Sequence, residues 1–235
     1  MHLRNLLFHC CSYPWTVLVI MVGVPLSFIS PDYLHNCGRV WAKGCLLLAG
    51  IRVKVKGAEN IPHDRSAVYI ANHQSHFDIL AMYASLPVQF RWMAKQELFD
   101  IPLFGLAMRR SGYIAIDRSD RRKSLQSMLV AAQRIKNGTS VVVFPEGTRS
   151  PDGRLLPFKK GGFMIAQKAQ ALLVPVVING SHSLLPKGSS KVRPGQIDVA
   201  ILPAVETAEL SSRELTPLME DFHRTIAAQL EEEQP

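Results

Sequence analysis

AVYIANHQSHFDILAMYASL, residues 67 to 86, compresses a strand, a turn and a helix into one stretch. AVYIA is a continuous apolar run of the kind a strand buried on both faces carries. The apolar residues of ILAMYASL suit a packed helix. Between them, NHQSHFD (72–78) holds a helix-start signal, with Ser75 as N-cap and Asp78 three residues on, a variant of the capping box. An acidic residue in a first turn also suits the helix dipole. A strand that hands over directly to a helix is the repeating unit of α/β layering.

Working outward, the same alternation continues. IRVKVKG, SAVYIAN, FRWMAK, GYIAID, SVVVFPE, LLVPVVI and IDVAIL read as strands. SHFDILAMYASL, the RRKSLQSMLVAAQRIKNG run ending at Gly138, GGFMIAQKAQ and RELTPLMEDFHRTIAAQLEEE read as helices. The expectation is a layered α/β domain over residues 51–235, with no internal repeat and a frayed EEEQP end.

Residues 1–50 differ. Asn5 to Pro31 contains no Asp, Glu, Lys or Arg, and WTVLVIMVGVPLSFIS is strongly apolar. A spanning helix needs roughly 20 such residues. A cleaved signal lacks a small-residue cleavage site here, and a buried core helix is the plainer alternative. The next segment, YLHNCGRVWAKGCLLLAGI, gathers apolar residues on one side and sets Arg39 and Lys43 on the other, as a helix in the headgroup region would. The reading is a hydrophobic helical membrane anchor. Positive charges after its first helix (Arg39, Lys43, Arg52, Lys54) outnumber those before it, which would place the main domain in the cytoplasm if that helix spans.

Lys and Arg total 27 against 19 acidic residues, a net charge of +8, so an anionic partner is expected. No basic block of the nucleic-acid type is present. All four cysteines (Cys10, Cys11, Cys37, Cys45) precede the main domain. They make neither a disulfide framework nor a zinc pattern, and no thiol nucleophile is left for the α/β part.

The chemistry therefore centres on His73 and Asp78. On one continuous helix, positions five apart point about 140° away from each other. The two meet if His73 sits in the loop before the helix and Asp78 in its first turn. A carboxylate then fixes the imidazole tautomer and leaves the other nitrogen as general base. His76 has no such partner and reads as a packing or rim residue. With no GxSxG elbow and no cysteine, His73 would activate a hydroxyl or water directly. In PEGTRSPDGR (145–154), Gly147 allows close backbone approach, and Arg149 offers a fork suited to phosphate. Glu146 is expected to orient Arg149 or a substrate hydroxyl. A plain polar turn with a solvated Arg149 is the alternative.

NHQSHFD, GYIAIDR (112–118), FPEGTRS (144–150) and VPVVI (174–178) together resemble the four ordered blocks of the glycerolipid acyltransferases, most nearly the bacterial 1-acyl-sn-glycerol-3-phosphate type. The resemblance spans about residues 50 to 205. It implies an α/β domain around a mixed central sheet. It implies acyl transfer from acyl-CoA or acyl carrier protein to the sn-2 hydroxyl of lysophosphatidic acid, giving phosphatidic acid with no cofactor. By the family pattern His73 is the base and Asp78 its partner. Arg118, Glu146, Gly147, Thr148 and Arg149 belong to the acceptor and phosphate site, and Pro175 to a substrate-binding block. It also implies the bacterial inner membrane, with the catalytic domain on the cytoplasmic face. Three other readings stand beside it: transfer to a different lyso-lipid, a metal-dependent hydrolase using His73, His76 and Asp78, and a non-catalytic lipid-binding protein.

Overall fold

The computed structural model describes residues 2–117 and 120–230. Arg118, one of the expected acceptor-site residues, lies outside them. Seven strands form one sheet: β1 (Ile51–Lys56), β2 (Ala67–Ala71), β3 (Phe90–Lys95), β4 (Ile114–Ile116), β5 (Ser140–Val143), β6 (Leu172–Asn179) and β7 (Gly195–Ile201), in the order β1-β7-β6-β2-β5-β3-β4. Only β6 and β7 run antiparallel; every other pairing is parallel. The sheet is mixed, and each expected strand is one of the seven.

The helices are α1 (His2–Leu26), α2 (Pro31–Ala49), α3 (Phe77–Ser85), α4 (Phe104–Arg110), α5 (Arg121–Lys136), α6 (Gly161–Ala169), α7 (Ser181–Leu184) and α8 (Leu215–Ala227). They cover both faces. Tyr69 and Ala71 of β2 join one core with Leu46 of α2 and Leu80 and Met82 of α3. Val68 and Ile70, alternating to the other side, join a second core with Ile135, Phe163 and Phe222 of α5, α6 and α8. All five residues of β2 are buried, which explains why AVYIA has no polar position. Each large side chain so enclosed contributes roughly 1.5–3 kcal/mol.

Pro175 sits inside β6, opposite Ile70 of β2. A proline in a central strand removes a ladder donor. Here its carbonyl accepts from Leu202 N–H, just beyond the end of β7, while Leu173 pairs separately with Val205. The missing N–H thus falls where the neighbouring chain has already left regular pairing.

Ser30 caps α2 by accepting from Asp32 N–H at 3.2 Å, Pro31 opens it, and Gly50 closes it. The α1–α2 approach is close: a Cβ on Gly44 would meet the Trp15 indole nitrogen at 2.4 Å. Both ends of α1 are tied to the α/β layers. Val192 N–H donates to Asn5 Oδ1 at 2.8 Å, and Arg110 Nε to Ser27 Oγ at 2.9 Å. Between these ties Leu6, Leu7, Val17, Leu18, Met21 and Val22 stand exposed. Arg39 departs from the expected headgroup-facing position. Its guanidinium turns inward and donates to the carbonyls of Leu86 (2.9 Å) and Val88, beyond the end of α3.

Candidate active site

The turn between β2 and α3 is held by carboxylates. Asp78 Oδ2 accepts from Gln74 N–H at 2.7 Å, Ser75 N–H at 2.8 Å and His73 Nδ1 at 2.8 Å. Ser75 Oγ accepts from Phe77 N–H at 3.2 Å, so Ser75 makes a capping bond from two positions before the helix start, where His76 is the N-cap residue. His73 is therefore in the loop and Asp78 in the first helical turn. Asp78 is fully buried, while His73 is 13% exposed, enough for its free Nε2 to reach a ligand. Stacking adds a second restraint: the imidazole lies 3.9 Å from the Phe144 ring at an interplanar angle of 7°. His76 is exposed. Among the described residues, no three His, Cys, Asp or Glu side chains gather as metal ligands would.

Asn72 stands at the end of β2, just before His73. Its side chain bridges β2 to β6, donating to Ile178 C=O and accepting from Ile178 N–H, both at 2.8 Å. It completes the sheet where β2 ends and fixes the point at which the His73 loop begins.

Among the described residues, the Glu146 carboxylate bonds main-chain groups and not Arg149. Its Oε1 accepts from the His73 backbone N–H at 2.6 Å and its Oε2 from Leu156 N–H at 3.0 Å. In return, Ser150 N–H donates to His73 C=O at 2.8 Å. The FPEGTRS turn thus grips the main chain of His73 on both sides. Burial pushes the Glu146 carboxyl from 4.5 up to about 7, with the two N–H donors pulling in the opposite direction. Phe144 C=O accepts from Gly147 N–H at 3.1 Å, closing a turn with Pro145 at its second position. Gly147 follows at φ 75, a conformation that favours glycine.

His73 opens onto a cavity of about 1060 Å³. Its walls are mostly apolar, from Val19 and Ile20 of α1 to Trp92 of β3 and Met128 of α5. Gly147, Thr148, Arg149 and Lys159 line it as well. The Arg149 guanidinium makes no hydrogen bond or ion pair with any described residue. Partial burial lowers its pKa, with Asp78 opposing. Lys187 Nζ braces the turn by donating to Thr148 Oγ1 at 3.2 Å and Arg149 C=O at 2.9 Å. The structure therefore brings His73, Asp78, Gly147, Thr148 and Arg149 to one place, with Glu146 directly behind them. Pro175 is not among the cavity-lining residues.

An imidazole held against a buried carboxylate, an arginine with no partner among the described residues and a largely apolar cavity stand together. Comparison with known proteins agrees. The family described as Acyltransferase matches residues 52–179. The chain is 35% identical over 209 residues to a 1-acyl-sn-glycerol-3-phosphate acyltransferase of Chlamydomonas reinhardtii, covering 85% of this chain and 62% of that one. It is 34% identical over 186 residues to the chloroplastic enzyme LPAT1 of Arabidopsis thaliana, covering 77% and 52%. It thus spans about half to two thirds of the length of these two relatives. With the human 1-acyl-sn-glycerol-3-phosphate acyltransferase alpha the identity is 32%, over 90% of this chain and 76% of that one. Among solved structures, the 1-acyl-sn-glycerophosphate (LPA) acyltransferase PlsC of Thermotoga maritima superposes with a TM-score of 0.83 at 30% identity, covering 97% of this chain and 95% of its own. On this evidence the chain belongs to the Acyltransferase family.

Proposed function

We propose that this protein transfers an acyl group from a thioester, acyl-CoA or acyl carrier protein, to the sn-2 hydroxyl of 1-acyl-glycerol-3-phosphate, giving phosphatidic acid. The observation that carries this reading is the 2.8 Å bond between His73 Nδ1 and Asp78 Oδ2, with Nε2 left free beside the apolar chamber. Nε2 takes the hydroxyl proton as the oxygen attacks the thioester carbon. The imidazolium that forms is stabilised by Asp78. The tetrahedral intermediate collapses, the C–S bond breaks, and His73 returns the proton to the departing thiolate. The backbone N–H groups of His73, Gln74 and Ser75 are already taken by carboxylates. The oxyanion is accordingly met from the Thr148–Arg149 part of the neighbouring turn. Arg149 receives the acceptor phosphate through charge-assisted bonds.

The reading divides the chain into an anchor, residues 1–50, and an α/β domain, residues 51–235. With both ends of α1 docked on the same α/β layers, the anchor lies in one leaflet rather than crossing, and the site sits at the membrane surface on the cytoplasmic side. An amino-terminal tag is then accessible from the same face as the catalytic domain; accessibility from the opposite face only would refute that arrangement.

The test of function is acyl transfer to lysophosphatidic acid by purified protein, with both donors in parallel and His73→Ala beside wild type. Phosphatidic acid from wild type alone is expected. Near-normal product from folded His73→Ala would reject His73 as base, and no product with either donor would reject the substrate assignment.

A further inference from the structure

Beyond α1 and α2, a second apolar crest stands exposed. Ile101, Leu103 and Leu106 are 46%, 52% and 40% exposed, and Leu125 and Leu129 on α5 are 46% and 49%. Leu103 has φ 61 and ψ −52, and Phe104 N–H donates to Pro102 C=O at 2.6 Å. This is the rare, strained form of γ-turn. It holds Leu103 outward, while Gly105 beside it packs against the Phe99 backbone. Exposed apolar side chains grouped around a cavity rim mark an interaction site.

The crest adjoins the anchor. The Arg110 guanidinium donates to Ser27 and lies 3.9 Å over the Phe28 ring, at the turn that joins α1 to α2. Phe28 and Ile29 at that turn are 76% and 75% exposed, so anchor and crest form one surface. Exposed charges of both signs flank it, Arg109, Arg122 and Lys123 beside Glu97, Asp100 and Asp120. An apolar surface continuous with the anchor, and polar at its rim, suits the same bilayer. The cavity reaches this surface as well. Leu98, Phe104 and Leu125 line it and are also solvent-exposed, while Val19 and Ile20 of α1 line its other side.

We propose that residues 98–106 and the first turns of α5 are a second bilayer-docking ridge, continuous with the α1–α2 turn. The mouth between ridge and anchor then opens into lipid, and the lipid acceptor enters sideways without its chain crossing water. The role of the mouth rests on the acyltransferase reading above; the docking itself does not.

The test uses the full chain and phosphatidylglycerol/phosphatidylethanolamine vesicles. Ile101→Trp is expected to add fluorescence that brominated-chain lipids quench more strongly than they quench the wild type. Ile101→Glu is expected to slow transfer to vesicle-borne long-chain lysophosphatidic acid at least tenfold. It should leave the rate with a short-chain, water-soluble acceptor within twofold. Leu103→Gly, which accommodates the positive φ, should slow the vesicle-borne reaction in the same direction while keeping the thermal midpoint. Absence of added quenching overturns the ridge. So does an unchanged vesicle-borne rate in Ile101→Glu, or a higher KM for acyl carrier protein with vesicle binding intact, which would make the crest a protein-docking surface. If wild type uses neither acceptor, the acyltransferase reading fails while the quenching still decides whether the ridge docks.

Discussion

Glu146→Gln separates the stability of the site from its activity. In the wild type, burial raises this carboxyl from 4.5 to about 7, so keeping it charged costs about 3 kcal/mol. Between those two values the folded chain holds a proton that the unfolded chain has released. Stability from this group is therefore fully present below pH 4.5 and is lost as pH rises through 7. Glutamine carries no charge and removes that slope. It also supplies one acceptor where the carboxylate supplies two, so its amide NH₂ confronts either His73 N–H or Leu156 N–H. The unmatched donor costs about 1–3 kcal/mol, similar in size to the penalty removed. At pH 8 the variant should therefore be about as stable as wild type, and at pH 5 less stable. The difference between the two should move by about 3 kcal/mol across that range, roughly 6–12 °C in thermal midpoint for a chain of this size. Activity should not recover at pH 8. With one side of the His73 main chain released, a displacement near 1 Å is enough to lower kcat about 100-fold. Thermal melts in detergent at several pH values, with kcat measured beside them, decide the matter. A pH-independent difference in midpoint would refute the buried charge, and an unchanged kcat would refute the grip on His73.

Asp78→Asn keeps the shape but loses the charge that favours the imidazolium; kcat should fall about 10³–10⁴-fold with KM nearly unchanged, read by steady-state kinetics. Arg149→Ala should raise KM for a phosphate-bearing acceptor about 10–100-fold, the worth of a charge-assisted bond, and leave an acceptor without phosphate unaffected. Asn72→Ala strands both Ile178 N–H and Ile178 C=O inside the sheet. At about 1–3 kcal/mol for each group, its thermal midpoint should drop by about 10 °C.

What the sequence revealed follows from how locally each feature is encoded. The strands are legible because apolar runs and alternation are written into consecutive residues. The His73–Asp78 bond is legible because it closes over five positions between a buried run and a capping signal. Strand order is not, since β2 lies between β6 and β5, whose sequences give no sign of adjacency. The Glu146 grip links positions 73 residues apart, so FPEGTRS by itself gives no sign of it. Arg39 looked like a headgroup residue because helical periodicity gives its direction but not the carbonyls of Leu86 and Val88 waiting there. The α4 segment, FGLAMRR, is too short to establish a period, and the γ-turn before it carries none of the usual glycine or asparagine at Leu103.

The pairing of β1 with β7 has a consequence for how the chain is made. Ile51 emerges from the ribosome directly after the two apolar helices, yet its ladder partner is Gly195. Until that strand is synthesised, β1 is an unpaired edge and the sheet beside it is incomplete. The helices, by contrast, are synthesised before any strand of the sheet. Under the anchor proposed above, delivery to the bilayer would precede folding of the α/β layers, and loop closure over so long a span makes the final docking slow. A chain stopped before β7 would be an open-edged intermediate with an exposed strand and a strong tendency to aggregate.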